Sequence, residues 1–374
     1  MNANGPLISI IVPVHNGADV LPRTLGAILA SDLSRESWEL IAVDDASDDG
    51  SALVAGRYAD TVVKLSGRQR GPAYARNRGL ELARGEIIVT VDADVCVHVD
   101  TLRRLAAFLV EDTTLGAIAG GYDVGEPHRG LVTGFRNLRQ CYAQRRAAGD
   151  VDHFWPACGA VRRSVLDTVG TFDEWHYWRP QAEGAELGQR IRAAGFRILL
   201  EPSIQATHLK RWTLASAIAT DVMNHGVPWM RLMFQGGSVA RMRAPSLSMR
   251  ETLIATLGCT CVLTMALHVV FPVEPLRWIA LASAFAVLVG VAPLFQFLAS
   301  ERGPLFAVLC LPLQLLHYMT GGVSLVFAWS LHQTIGEPKR DVTDDAFAEI
   351  GLDTWPPIPR RLPSDAWKHP VEES

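Results

Sequence analysis

The spacing of apolar residues changes character near residue 245. Upstream, charged residues recur every few positions and apolar segments are short; downstream come three long apolar runs, 253–271, 276–299 and 304–331, separated by very short loops. A bilayer core about 30 Å thick is crossed by roughly 20 residues of helix, so each run is long enough to span one. Buried helices of a soluble all-α domain are the competing reading, and three successive runs almost without charge argue against it. Upstream the rhythm is different. LISIIVP (7–13), WELIAVDD (38–45), TVVKL (61–65) and EIIVTV (86–91) read as strands; Val20, Leu21, Thr24, Leu25, Ile28 and Leu29 recur at helical spacing, and a second helix is expected over 74–83. This strand–helix alternation predicts an α/β domain with a mostly parallel sheet flanked by helices, followed by a C-terminal transmembrane helical region.

Two of the strands end in paired acids. Asp44-Asp45 closes the second, and Asp92 and Asp94 follow the fourth in VDADV. In open α/β sheets ligands collect at the carboxyl ends of strands, so these charges fall where a strand leaves the core and a site begins. Carboxylates on alternate residues of an extended segment point the same way and suit a hard divalent cation, which keeps waters and binds substrate phosphates. A nucleotide diphosphate is the natural partner. DxD alone is a weak signal, arising by chance about once in a few hundred residues; the preceding strand and the second acidic pair strengthen it. Between the two pairs lies GRQRGPAYARNRG (67–79), whose Arg68, Arg70, Arg76 and Arg78 read either as a solvated helix start or as contacts to diphosphate and base.

Composition narrows the partners more than the fold. The 374 residues are 49% hydrophobic and 20% charged with a mean hydropathy of +0.15, too apolar for disorder. A net charge of −4 gives no sign of a nucleic-acid partner. Cys96, Cys141, Cys158, Cys259, Cys261 and Cys310 show no paired zinc spacing and read as reduced thiols. The N-terminal MNANGPLISIIVPVHN lacks the basic and long apolar regions of a signal peptide. Arg241, Arg243 and Arg250 precede the first span, which by the positive-inside rule places the N-terminal domain in the cytoplasm and the chain in the inner, cytoplasmic membrane. Lys339-Arg340 and Arg360-Arg361 in the tail pull the other way.

Taken together, IIVPVHN, LIAVDDASDDGS, GPAYARNRGLELARGEIIVTVDADV, CGAVRRSVLDTVGTFDE and ELGQRIRAAGFRILLEP resemble, in order and spacing, the family 2 glycosyltransferases, which have the GT-A fold. The resemblance covers roughly residues 7–212. It implies that Pro13, Asp44, Asp45 and Arg76 help hold the nucleotide, that Asp92 faces ribose or metal, and that Asp94 binds Mg2+ or Mn2+ bridging the diphosphate. It also implies displacement with inversion at the anomeric carbon, which needs a base for the acceptor hydroxyl and a cation for the leaving group.

The base is where this sequence departs from that family. The family pattern E-D-x-E-L places the usual base at its second position, but here the segment reads Glu183-Gly184-Ala185-Glu186-Leu187. Three readings stand: Glu183 takes the proton, longer by one methylene and re-aimed through the freedom of Gly184; Glu186 serves, although its place suits a helix N-terminal charge; or the base lies elsewhere, for example at Asp173 of GTFDE, or activity is weak.

Further on, THLKRWT (207–213) resembles the Q-x-x-R-W motif of membrane-embedded polysaccharide synthases, with His208 in place of the glutamine. Arg211 suits diphosphate oxygens and Trp212 offers a flat face to a sugar ring. His208 accepts a hydrogen bond, ligates the metal as a neutral imidazole, or is structural. Phe154, Trp155 and Cys158 are expected on the acceptor side, with core packing the alternative for Cys158. LASAIATDVMNHGVPWMRLMF reads as an amphipathic interfacial helix that brings the site to the bilayer, or as a plain packing helix. His268 and His317 stand inside the apolar runs, packed against neighbouring helices or functional.

The expected organisation is a cytoplasmic GT-A domain (1–212), an interfacial linker (213–250), a transmembrane region (251–331) and an irregular tail (332–374). The expected activity is metal-dependent sugar transfer from a nucleotide-sugar donor, a UDP-sugar first, to a lipid-linked or glycan acceptor among membrane lipids. A binding subunit that has lost its base is the alternative. A nucleotidyltransferase is a third reading, and IIVPVHNGADV lacks the glycine-rich phosphate loop such an enzyme would carry.

Overall fold

The computed structural model describes residues 7–125, 130–177, 182–235 and 249–336. Arg241, Arg243 and the tail arginines therefore lie outside the described residues. The first elements are β1 (Ile8–Val14), α1 (Leu21–Leu29), β2 (Trp38–Asp45), α2 (Ser51–Ala55), β3 (Thr61–Leu65), α3 (Pro72–Leu82), β4 (Ile87–Val91), β5 (Val95–Val97) and α4 (Thr101–Glu111). After them come β6 (Leu115–Tyr122), α5 (Leu131–Arg146), β7 (Gly149–Val151), β8 (Cys158–Arg162), α6 (Arg163–Val169), α7 (Glu183–Ala193) and β9 (Arg197–His208). Local rules account for much of this. Both α1 and α3 start with proline in the first turn, where its missing N–H costs nothing, and α1 buries Leu21, Thr24, Leu25 and Ile28 at helical spacing.

Among the described residues nine strands form one sheet, ordered β3-β2-β1-β4-β8-β6-β9-β5, with β7 added to β9. The expected mostly parallel sheet holds for its first half only. There β1 pairs in parallel with β2 and β4, and β2 with β3. Then β8 joins β4 antiparallel, with Val91 opposite Cys158, because the chain returns through α5 and β7 to the end where β4 stops. β6 pairs antiparallel with β8 and parallel with β9, and β5 and β7 pair antiparallel with β9, so the sheet is mixed. Each face carries its own apolar core: one includes Leu21, Leu25, Leu102 and Leu105 from α1 and α4, the other Ala75, Leu80, Val165, Leu187 and Ile191 from α3, α6 and α7.

Past β9 the chain forms α8 (Leu214–Ala219), a π-helical turn (Thr220–Gly226) and α9 (Val227–Gln235), then α10 (Met249–Val270), α11 (Glu274–Arg302), α12 (Pro304–Leu309) and α13 (Leu311–Thr334). Three stretches, Arg250–Val270, Glu274–Arg302 and Pro304–Thr334, are long and apolar enough to cross a membrane. The helices dock on α5, whose Phe135 and Leu138 pack with Leu294, Leu298, Ala307 and Cys310. The segment 214–235 lies along α13: a Cβ at Gly226 would collide with Ser324, and Phe234 and His332 have ring centroids 5.5 Å apart. His317 sits at this junction, with Asp221 Oδ2 3.1 Å from Nδ1 and Arg139 at Nε2, while Arg136 donates to the other Asp221 oxygen at 2.7 Å. Burial would raise the Asp221 carboxyl, but His317 and Arg136 hold it well below the usual carboxylate range. His268, near the end of α10, faces the connection to α11, Nδ1 lying 3.1 Å from the Val273 carbonyl oxygen. All six cysteines are free thiols.

Candidate active site

The ends of β1 and β2 are fastened to each other before any ligand is considered. Asn16, with φ of 50°, receives a hydrogen bond from Asp48 N–H at 3.0 Å and donates its own N–H to Ser47 Oγ at 2.9 Å; Ala18 N–H reaches Asp49 Oδ2 at 2.9 Å. Ser47, Asp49 and the Asp48 backbone of DDASDDGS therefore tie the two strand ends together. Pro13 is buried in β1 opposite Val43. Asp45 accepts the Arg70 N–H at 2.9 Å and the Gly71 N–H at 2.6 Å, which ties the start of α3 to β2; burial raises its pKa against those bonds. Asp44 is different. It is 1% exposed and neither carboxylate oxygen has a hydrogen-bond partner among the described residues. A buried acceptor without a donor is costly, so this carboxylate has room for N–H or O–H groups that the described residues do not supply.

The second cluster centres on Arg76, which the sequence assigned to the nucleotide. Its guanidinium is 2% exposed and joins two carboxylates, Asp92 Oδ1 at 2.7 Å and Glu183 Oε1 at 3.0 Å. One buried cation thus links the acid that follows β4 to the first turn of α7. Gly184 has a steric role and not the expected conformational one. A Cβ there would strike the Phe154 carbonyl oxygen and come within 2.6 Å of Pro156 Cδ; one at Gly188 would meet His153 Cα and Phe154 N at 2.5 Å. The glycine face of α7 lies directly on the 153–156 backbone, and Phe154 N–H donates to the Gly184 carbonyl at 3.0 Å. Phe154 and Cys158, expected on the acceptor side, are core residues at 1% and 0% exposure, and burial pushes the Cys158 thiol up to about 12.

The third cluster gathers around Asp94. β5 and β9 pair so that Val95 faces His208, and Leu209 N–H donates to the Asp94 carbonyl at 2.8 Å. His208 Nε2 lies 3.6 Å from Asp94 Oδ2. Burial would raise the Asp94 pKa, but the neighbouring His208 ring and the charge of Lys210 bring it below its ordinary value. The His208 ring stacks on Tyr122 with centroids 4.5 Å apart and planes at 5°, and its Nδ1 is 3.3 Å from Asn137 Oδ1 on α5. No group of three or more His, Cys, Asp or Glu side chains gathers in metal-binding range among the described residues. One carboxylate oxygen and one imidazole nitrogen nevertheless fit Mg2+ or Mn2+, which take few protein ligands and fill the rest of the shell with water and phosphate oxygens.

Trp212 is held by Thr133, whose Oγ1 accepts the Trp212 N–H at 3.0 Å. Arg136 Cζ and Lys210 Nζ lie over its ring at 4.0 and 4.5 Å, so two cations already cover the surface expected to meet a sugar. Arg211 is exposed on the loop between β9 and α8.

The remaining base candidates are engaged elsewhere. Glu186 makes a two-point contact with Arg190 at 2.7 and 2.6 Å, and Arg190 also donates to the Val169 and Thr171 carbonyls. Asp173 accepts from the His176 backbone at 3.1 Å and lies 2.6 Å from its ring; these contacts lower its pKa despite burial. Sequence reasoning passed over Glu174, Tyr122, Thr133 and Asn137. Burial pushes Glu174 up to about 7, with Arg78 and an Asn77 hydrogen bond at 2.6 Å opposing it.

Residues 9–170 match the family described as glycosyl transferase family 2. Glycosyltransferase AglE of Haloferax volcanii is 26% identical over 182 residues, covering 46% of this chain and 58% of AglE. The probable glycosyltransferase YdaM of Bacillus subtilis is 25% identical over 211 residues, 53% of this chain and 49% of YdaM, so the chain spans about half the length of these curated relatives. Among solved structures, the mannosyltransferase PcManGT from Pyrobaculum calidifontis, in complex with GDP-Man and Mn2+, superposes with a TM-score of 0.54 at 21% identity, covering 90% of this chain and 89% of that one. That likeness concerns the fold: a curled mixed sheet with flanking helices, as in GT-A proteins.

Proposed function

Because the chain belongs to glycosyl transferase family 2 through its residues 9–170, we propose that it transfers a sugar from a nucleotide-diphosphate donor, a UDP-sugar first, to a hydroxyl of a lipid-linked or glycan acceptor at a membrane, with Glu183 as the base. The observation that carries this reading is the Arg76 bridge. Of the three carboxylates weighed as base, Glu183 is the one that a buried cation ties to Asp92. Glu186 and Asp173 are committed to Arg190 and His176.

In this reading Asp44 receives donor groups of the nucleoside, and Pro13 and Asp45 shape the pocket around it. Asp94 and His208 hold Mg2+ or Mn2+, which when bound neutralises the departing diphosphate. Glu183 takes the proton of the acceptor hydroxyl as its oxygen bonds to the anomeric carbon and the bond to the diphosphate oxygen breaks, inverting that centre. Arg211, exposed on its loop, is free to meet an anionic group of the incoming substrate. The three apolar helices support a membrane location, and the basic residues before α10 a cytoplasmic catalytic side.

Gly184 favours one other reading. Its Cβ position is closed by the 153–156 backbone, so the family's aspartate has no room there, as in a binding subunit that has lost its base. A panel of UDP- and GDP-sugars, incubated with detergent-purified protein, native lipid extract and Mg2+ or Mn2+, separates the two. Release of nucleoside diphosphate that Asp94→Ala abolishes supports the transferase; donor binding without release supports the subunit, and pyrophosphate release overturns both.

A further inference from the structure

We propose that Asn137, on α5, is a positioning residue that fixes the tautomer of His208 so that its Nε2 lone pair is directed to a divalent cation shared with Asp94. This rests on the metal reading above and adds to it a residue that neither the strand-end acids nor the His-x-x-Arg-Trp segment contains.

A neutral imidazole carries one N–H, and the group facing each nitrogen decides where it sits. On the Nδ1 side His208 meets Asn137 Oδ1 at 3.3 Å, an acceptor for an N–H at Nδ1. On the Nε2 side it meets Asp94 Oδ2 at 3.6 Å, too far for a good hydrogen bond but suited to two atoms that share a cation with bonds of about 2.0–2.2 Å. With the proton at Nδ1, Nε2 is a free donor pair. The opposite arrangement, an Asn137 N–H donating to Nδ1, would put the proton on Nε2 facing Asp94 and close the site to a metal. Two further features hold the ring in place. Tyr122 stacks flat against it, and Asn137 is 5% exposed on a helix pinned by Phe135 and Leu138 to α11 and α12. A metal-bound histidine whose other nitrogen is held by a fixed acceptor is a recurring arrangement, and loss of the acceptor typically weakens metal affinity roughly 10- to 100-fold.

The test is Mn2+ binding to the purified full chain with UDP present, followed by electron paramagnetic resonance, with nitrogen hyperfine coupling as the signature of an imidazole ligand. Wild type should show the coupling and His208→Ala should lose it. Asn137→Leu should bind Mn2+ roughly 10- to 100-fold more weakly at unchanged thermal stability, whereas Asn137→Asp, which keeps an acceptor, should bind within about threefold of wild type and shift the signal of the remote ring nitrogen. Wild-type affinity in Asn137→Leu overturns the proposal while leaving His208 as a ligand. Equal loss in the Leu and Asp variants, or no shift in Asn137→Asp, also overturns it by showing a packing role alone, and the Asp variant decides even if the Leu variant does not fold. No nitrogen coupling in wild type removes His208 from the metal and the proposal with it.

Discussion

The two halves of the sheet present their functional groups in different ways. In the parallel half, β3-β2-β1-β4, each acid is carried to the site by its own strand: Asp44 and Asp45 end β2, and Asp92 follows β4. In the mixed half a residue acquires meaning only through a distant partner. His208 reaches Asp94 because β9 pairs with β5, and it meets Asn137 across 71 residues of sequence. Arg76 spans the divide, binding Asp92 next to the parallel half and Glu183 on α7.

That difference is strongest at the bridge. Glu183→Gln should lower nucleoside diphosphate release roughly 10²- to 10⁴-fold, the usual contribution of a positioned base, with donor binding retained. Near-wild-type turnover in this variant would move the base away from α7. Arg76→Met should cost about 3–5 kcal/mol of stability, since it leaves two carboxylates facing each other without their cation. A thermal shift no larger than that of a surface arginine would show that the halves are held together elsewhere.

Glu174 tests the same joint through pH. It sits in the loop that Asn77 fastens to α3, and burial raises it from 4.5 to about 7. Between those values the unfolded chain is ionised while the folded one keeps its proton, so the folded state binds more protons and stability falls as pH rises. The loss is at most roughly 3 kcal/mol and is complete above the folded value. Melting measured from pH 5 to 8 should decline more steeply in wild type than in Glu174→Gln; parallel curves would mean the carboxyl titrates normally. Gly184→Ala, which forces a methyl group into the 153–156 backbone, should cost about 1–3 kcal/mol, and a stable, fully active variant would contradict the close packing of α7.

How much of this could be read in the chain follows from the same contrast. β1 to β4 are built from adjacent strand–helix units whose apolar spacing is local, and the predicted strands at 38–45 and 61–65 match β2 and β3. The paired acids stood out because a strand seldom ends in charge. Nothing local announces β8 entering antiparallel, so the sheet was expected to be more parallel than it is. Arg76 was expected to hold the nucleotide, and only the fold shows it buried between Asp92 and Glu183; Gly184 looked like a hinge because spacing does not reveal which backbone lies against it. Asn137 sits among Arg136, Leu138 and Arg139 on a helix with no motif, and only its height opposite the end of β9 gives it a role.

The smallest expected effect is the most useful control on the base. Glu183 and Glu186 share the first turn of α7, three residues apart, and differ in what they face. Glu186 is spent on Arg190, an i to i+4 pair that is partly exposed, with side chains 19% and 23% accessible. Such pairs contribute about 0.3–0.5 kcal/mol, and Arg190 keeps its bonds to the Val169 and Thr171 carbonyls when the carboxylate is gone. Glu186→Gln should therefore melt within a degree or so of wild type and release nucleoside diphosphate at an unchanged rate. If its rate instead falls as far as that of Glu183→Gln, the two glutamates act together, and the buried Arg76 bridge no longer singles out one of them as the base.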